Sequence, residues 1–133
     1  MQHFHIAIAL IWRDDKVLAT RRHEQADHLP GVWEFPGGKC EDGELPRECV
    51  LREAREEIGV DIAVMKERPP ITFDYPERRV TLYPFDCVIV AGEPQPLQVA
   101  ALRWLARHEL QAEEFPAANA GLIAEIKNKG HQL

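Results

Sequence analysis

One stretch near the middle of the chain admits few conformations. From Gly38 to Val60 it reads Gly-Lys-Cys-Glu-Asp-Gly-Glu-Leu-Pro-Arg-Glu-Cys-Val-Leu-Arg-Glu-Ala-Arg-Glu-Glu-Ile-Gly-Val. The Asp42-Gly43 turn and Pro46, which a helix accepts in its first turn, set where a loop ends and a helix begins. Gly59 closes that helix at a position favouring a left-handed residue. Between these stops Val50, Leu51, Ala54 and Ile58 share one apolar arc, so the helix lies against a core. Glu53, Glu56 and Glu57, spaced i, i+3 and i+4, share a separate arc facing outward. Arg52 stands one turn before Glu56 and can pair with it.

Carboxylates that close repel one another. On the helix alone two readings stay open: a solvated acidic face, as most charge runs are, or a set of oxygen donors for a divalent cation such as Mg²⁺.

The spacing narrows the choice. A glycine, five residues, a glutamate, seven residues, then Arg-Glu-apolar-any-Glu-Glu-any-Gly-apolar is met by Gly38, Glu44, Arg52, Glu53, Glu56, Glu57, Gly59 and Val60. Chance agreement at these positions is roughly one in a million at average residue frequencies. The pattern resembles the Nudix box, with one mild departure, Ala54 where a larger aliphatic residue is usual. Flanking motifs resemble the MutT branch of that superfamily: Thr20-Arg21-Arg22, His28, Glu34-Phe35-Pro36-Gly37-Gly38-Lys39, Tyr75-Pro76-Glu77-Arg78 and Phe115-Pro116-Ala117-Ala118-Asn119. They cover most of the chain and are less specific for substrate than the box is for chemistry.

The resemblance implies hydrolysis of a nucleoside triphosphate to monophosphate and pyrophosphate, with 8-oxo-dGTP as leading substrate and Mg²⁺, or Mn²⁺ in its place, as cofactor. It implies Glu53, Glu56, Glu57 and the Gly37 carbonyl as metal ligands. Glu53 carries either or both of two duties, ligand and proton acceptor from water, while Glu44 and Arg52 complete the catalytic set, Glu44 in a supporting place. Arg22, His28, Glu34, Phe35, Pro36, Gly37, Arg78 and Asn119 are the expected substrate contacts. MutT-like relatives often carry a further glutamate just before the late tryptophan strand. Here Gln98, Ala100 and Ala101 precede Trp104 and cannot act as a base, which leaves Glu93 as a substitute to consider.

Asn119 carries the expectation about the base. A side-chain amide offers one acceptor beside one donor. Guanine shows two acceptors, N7 and O6, on its major-groove edge. Oxidation to 8-oxoguanine makes N7 a donor, and the edge then matches an amide. Adenine also sets a donor beside an acceptor. Three functions therefore stay open: an 8-oxo-dGTP diphosphatase, a relative acting on CTP, methylated cytosine nucleotides, a pterin triphosphate or a nucleotide sugar, and a binding domain without turnover. The intact glutamate triad speaks against the last.

With 133 residues, 45% hydrophobic and 29% charged, the chain suits one domain, residues 1–133, with one core. A net charge of −6 opposes a nucleic-acid polymer or an anionic membrane as partner. It also sets a problem for a polyphosphate substrate that a bound cation would solve. Cys40, Cys49 and Cys87 show no C-x-x-C spacing, and Ile6 to Trp12 is too short to span a bilayer. A monomer in a reducing cytoplasm, working on a small-molecule nucleotide, is the expectation.

Apolar or alternating runs at Phe4–Trp12, Lys16–Arg21, Asp61–Phe73 (broken at Pro69-Pro70), Arg79–Ala91 and Ala101–Leu105 read as strands. After Pro116, Leu122, Ile123 and Ile126 form a helical stripe, with Glu125 placed to pair with Lys129 and Gly130 as the stop. Strands with a central and a closing helix give an α/β layered domain. This agrees with the Nudix-type α/β/α sandwich, a mixed β-sheet between helices.

Overall fold

A computed structural model describes residues 1–26 and 29–131. Its framework is one parallel pair, strand β1 (Gln2–Arg13) beside the long strand β7 (Arg78–Ala91), in register from Gln2 opposite Arg78 to Ile11 opposite Cys87. Strands β5 (Asp61–Glu67) and β6 (Ile71–Asp74) run antiparallel to β7 and share its outer edge. Strand β2 (Lys16–Arg21) follows β1 through a two-residue turn in which Asp14 and Asp15 take φ of 52° and 63°. Positive φ at both turn positions matches the strand twist, and aspartate is one of the few residue types with a side chain that tolerates it. Strand β8 (Ala101–Ala106) lies on β2's outer edge.

Beyond the hairpin β1 and β2 part, and the segment 33–39 fills the wedge. Strand β3 (Trp33–Glu34) pairs with β2 and strand β4 (Gly37–Lys39) with β1. Between them the Ala9 N–H donates to the Pro36 carbonyl at 2.7 Å. Helix α1 (Pro46–Ile58) follows and ends on Gly59 at φ 70°, ψ 28°, the left-handed stop expected of a C-terminal glycine.

Alternation along β1 builds two cores. Ala7, Ala9 and Ile11 meet Val50, Ala54 and Ile58 of α1. Ile8, Leu10 and Trp12 face the other way and meet Leu122, Ile123 and Ile126 of helix α2 (Ala120–Lys129). A strand buried on both faces reads as the unbroken apolar run seen in the sequence. The result is the α/β/α arrangement with a mixed sheet, and among the described residues no helix is long and apolar enough to cross a membrane.

One expectation is corrected. Glu125 does not pair along its helix with Lys129; it accepts from Arg68 Nη1 at 3.1 Å. The short strands β3 and β4 have no periodicity to announce them. Arg68 itself is the clasp of the α2 side. Its guanidinium meets both Asp86 carboxylate oxygens at 2.9 and 3.2 Å and the Gly130 carbonyl at 2.9 Å, while Trp12 Nε1 donates to Asp86 at 2.9 Å. Asp86 is 1% and Arg68 8% exposed, so removing the cation leaves a buried charge unmatched. Arg68→Met is expected to cost about 3–5 kcal/mol and Glu125→Gln, at the exposed end, less than about 1 kcal/mol. Urea unfolding of the two variants checks the difference; equal small losses would mean that Asp86 finds another partner.

Candidate active site

Helix α1 lies with its acidic arc over strand β4, and two missing side chains permit it. A Cβ on Gly37 would collide with the Ala7 carbonyl oxygen, and one on Gly38 would sit 2.6 Å from the Glu53 carboxyl carbon. Gly37 also has φ 151°, outside the usual range for other residues. The Gly37 N–H donates to Glu57 Oε1 at 2.7 Å, which locks helix to wedge.

Arg52 gathers the remaining carboxylates. Its Nε and Nη2 grip Glu44 at 2.8 and 3.0 Å, and its Nη1 reaches Glu53 at 2.9 Å and Glu56 at 3.0 Å. Nη2 adds the Lys39 carbonyl at 3.3 Å. The expected Arg52–Glu56 pair is thus present as one contact of a larger hub. The two-point bond to Arg52 lowers the Glu44 carboxyl to about 2, and the same bonds hold the guanidinium firmly charged. Glu53 and Glu57 move the opposite way. Burial raises both, Glu57 to about 8, against the lowering effect of the Arg52 bond on Glu53 and of the Gly37 N–H on Glu57.

Two hollows meet at this point. An open cleft is lined by Arg22, Glu34, Lys39, Arg52, Glu53, Glu57 and Gln98. A more enclosed, largely apolar cavity is lined by Phe4, Ile8, Phe35, Tyr75, Arg78, Leu82 and Asn119. Arg22, Glu34, Gly37, Gly38 and Lys39 border both. Glu34 accepts from Arg22 at 3.1 Å and is raised by burial. The cavity thus opens into the acidic cleft through a polar seam.

Asn119 lies deep in the cavity wall. It occupies the residue before α2, where an asparagine commonly caps the helix, yet its side chain makes no cap bond. It is 6% exposed and its Oδ1 has no partner among the described residues, a costly state for a buried acceptor unless a ligand supplies a donor. The Tyr75 hydroxyl accepts the Ala118 N–H at 3.1 Å and steadies the preceding turn.

Several expected residues fall elsewhere. Phe35 does line the cavity, but as its floor, 1% exposed and stacked on Phe115 at 5.1 Å. Pro36 is buried in the wedge and borders neither hollow. His28 lies outside the described residues. Glu93 is excluded as a substitute base: both its oxygens bind Arg13 at 3.1 Å, away from the cleft. Glu56 is exposed and reaches the site through Arg52. Sequence reasoning overlooked Phe4, whose ring carries the Lys39 ammonium at 4.2 Å and the Arg78 guanidinium at 4.9 Å. No periodic signal links residues 4, 39 and 78. Tyr75 and Lys39 stood in quoted motifs without a role.

The carboxylates and the Gly37 carbonyl are the hard oxygen donors that Mg²⁺ prefers, and buried carboxyls pushed toward neutrality mark a site short of positive charge. In that chemical sense the residues fit a divalent cation. Among the described residues no three acidic, histidine or cysteine side chains already converge as a cage; one oxygen each of Glu53, Glu56 and Glu57 is bonded to Arg52 or the Gly37 N–H.

A NUDIX domain family model matches residues 1–126. The 8-oxo-dGTP diphosphatase of Escherichia coli K12 is 33% identical over 128 residues, which is 96% of this chain and 98% of that protein. The CTP pyrophosphohydrolase of the same strain is 32% identical over 122 residues, 92% of this chain and 88% of that protein. A MutT protein from Methanosarcina mazei Go1 has a crystal structure with TM-score 0.83 at 23% identity, over 98% of this chain and 97% of that one, a likeness of fold.

Glu57 predicts a pH effect on stability. The unfolded chain releases its proton near 4.5 and the folded protein near 8. Across that interval the folded state holds more protons, so stability falls as pH rises. In metal-free protein the melting temperature is expected to drop between pH about 5 and about 9, less steeply in Glu57→Gln. Parallel slopes would place the proton on another group.

Proposed function

The chain belongs to the Nudix hydrolase family, and we propose that it hydrolyses 8-oxo-dGTP to 8-oxo-dGMP and pyrophosphate. One observation carries the choice of substrate: a buried, unpartnered amide oxygen, Asn119 Oδ1, in a cavity that opens into the glutamate cleft. An oxidised guanine presents N7–H to that oxygen and its O6 to the same amide's N–H, while unmodified guanine presents acceptors to both. The apolar walls suit the faces of a base. Arg22, Lys39 and Arg78, at the seam and cavity rim, supply charge for sugar and phosphates.

Glu53, Glu56, Glu57 and the Gly37 carbonyl would hold Mg²⁺ or Mn²⁺. When bound, such an ion neutralises polyphosphate charge and acidifies a ligated water. The chain's own groups do the rest. Glu44 holds Arg52, Arg52 aligns Glu53 and Glu56, and the Gly37 N–H orients Glu57. Glu53, partly buried and raised by burial, takes the proton of the attacking water. A second reading, a CTP pyrophosphohydrolase, is supported by the 32% identity to the E. coli protein of that name. Cytosine sets an N4 donor beside the N3 acceptor and also matches an amide.

A panel of nucleoside triphosphates with Mg²⁺, assayed for monophosphate and pyrophosphate, tests the reading. Turnover is expected to vanish in EDTA, and Glu53→Gln to lose at least about 10²–10⁴-fold in kcat with folding intact. Activity within about tenfold of wild type would move the base and ligand roles to other residues.

Specificity is tested separately. Asn119→Ala is expected to weaken kcat/KM for 8-oxo-dGTP by about 5–150-fold, equivalent to about 1–3 kcal/mol for a lost buried bond, and to change dGTP far less. Equal losses for both, or a wild-type preference for CTP, would keep the chemistry and overturn the base assignment.

A further inference from the structure

The cationic side chains bordering the two hollows are held in two different ways. Arg52 is committed to Glu44, Glu53 and Glu56, and Arg22 to Glu34. Lys39 and Arg78 form no ion pair among the described residues. Both lie instead on the ring of Phe4, the ammonium 4.2 Å and the guanidinium carbon 4.9 Å from its centroid. Strand pairing brings them there. Ile6 of β1 stands opposite Lys39 of β4, and Gln2 of β1 opposite Arg78 of β7. Phe4, between Gln2 and Ile6, thus has each cation as a diagonal neighbour, one from either flanking strand, within reach of a long side chain. The two backbones are fixed as well: the Lys39 carbonyl accepts from Arg52 Nη2 at 3.3 Å and the Arg78 carbonyl from the Tyr75 N–H at 2.8 Å.

We infer that Phe4 is a positioning residue, whose ring holds the Lys39 ammonium and the Arg78 guanidinium at the cavity rim with their charge uncompensated, ready for the anionic part of a nucleotide. The face of an aromatic ring attracts a cation through its quadrupole and carries no net charge of its own. It therefore orders a cation without neutralising it, which a carboxylate cannot do. Long side chains left free must be ordered when a ligand arrives, at the expense of affinity; on Phe4 the two are ordered beforehand. Two cations gathered on one ring also repel each other, and an arriving anion relieves that repulsion. In a chain of net charge −6 with an acidic cleft alongside, such a prepared pair gives a polyphosphate a local foothold. This role presumes the nucleotide site proposed above, whichever base it reads.

Phe4→Leu keeps an apolar side chain and removes the ring face, whereas Phe4→Tyr keeps the ring. Each is compared with the wild-type chain on the nucleoside triphosphate that wild type turns over fastest with Mg²⁺, so a preference for CTP over 8-oxo-dGTP changes the substrate used and not the comparison. Phe4→Leu is expected to raise KM by about 5–30-fold, the ordering worth of two cation–ring contacts, with a smaller change in kcat. The Kd of the monophosphates 8-oxo-dGMP and CMP, measured by titration calorimetry, needs no turnover and should rise in the same variant for whichever of the two binds. Raising NaCl from about 0.05 to about 0.5 M should narrow the gap between variant and wild type, because salt screens whatever the cations contribute, while a gap caused by lost packing alone stays as wide. Phe4→Tyr should remain within about threefold of wild type. A KM and Kd within about twofold of wild type in Phe4→Leu, a gap indifferent to salt, a lowered melting temperature without a KM shift, or a Phe4→Tyr no better than Phe4→Leu would overturn the role.

Discussion

The close approach of helix α1 to strand β4 is the contact on which the rest of the molecule depends. It exists because residues 37 and 38 have no side chains: the first allows the strand to lie against Ala7 of β1, the second admits the Glu53 carboxyl group. Those two permissions do different work. The Gly37 contact holds the wedge in the sheet, and the Gly38 contact sets how near an acidic helix face comes to the cavity mouth. A methyl group at either place would separate fold from site before any charged residue was touched.

Charge balance sets what that approach costs. Glu44, Glu53 and Glu56 share a single guanidinium, while the bond to Glu57 comes from the Gly37 backbone N–H. Arg52 stabilises the exposed end of the cluster, where water also screens. It does not reach Glu57, and burial drives that carboxyl, and Glu53 despite its Arg52 bond, toward the protonated form. A site arranged so is poorly satisfied by its own chain, and the proposed cation would relieve it, the trade of stability for chemistry seen at functional sites.

Much of this could be read before folding. Pro46 and Gly59 bound α1 because cap and stop chemistry is local, and β1 and β7 show as long apolar runs because both their faces are buried. Helical spacing puts Glu53, Glu56 and Glu57 on one arc, and the Nudix-box resemblance marks that arc as the candidate site. What escaped has a physical reason. Strands of two or three residues rich in Gly and Pro carry no period, so the wedge was invisible. Glu125 could be matched to Lys129 by spacing, but Arg68 lies fifty-seven residues away and no local rule reaches it. Glu93 has the right chemistry for a spare base, but its bidentate bond to Arg13, eighty residues away, has no local signature in the sequence.

The wedge also joins the apolar cavity to the glutamate cleft. Glu34, Phe35, Pro36 and Gly37 are consecutive, and side chains alternate across an extended segment. Glu34 borders the cleft, Phe35 forms the cavity floor beside Phe115, and Gly37 holds Glu57. Phe115 in turn begins the turn that ends at Asn119. Asn119 and Glu57 are therefore joined through the stacked Phe35–Phe115 pair, the two peptide units from Phe35 to Gly37 and the turn from Phe115 to Asn119. Such a short, packed connection tolerates little independent movement. A base that fits badly would displace the phosphates from the glutamates by a similar amount, so selectivity is expected in kcat as well as in KM.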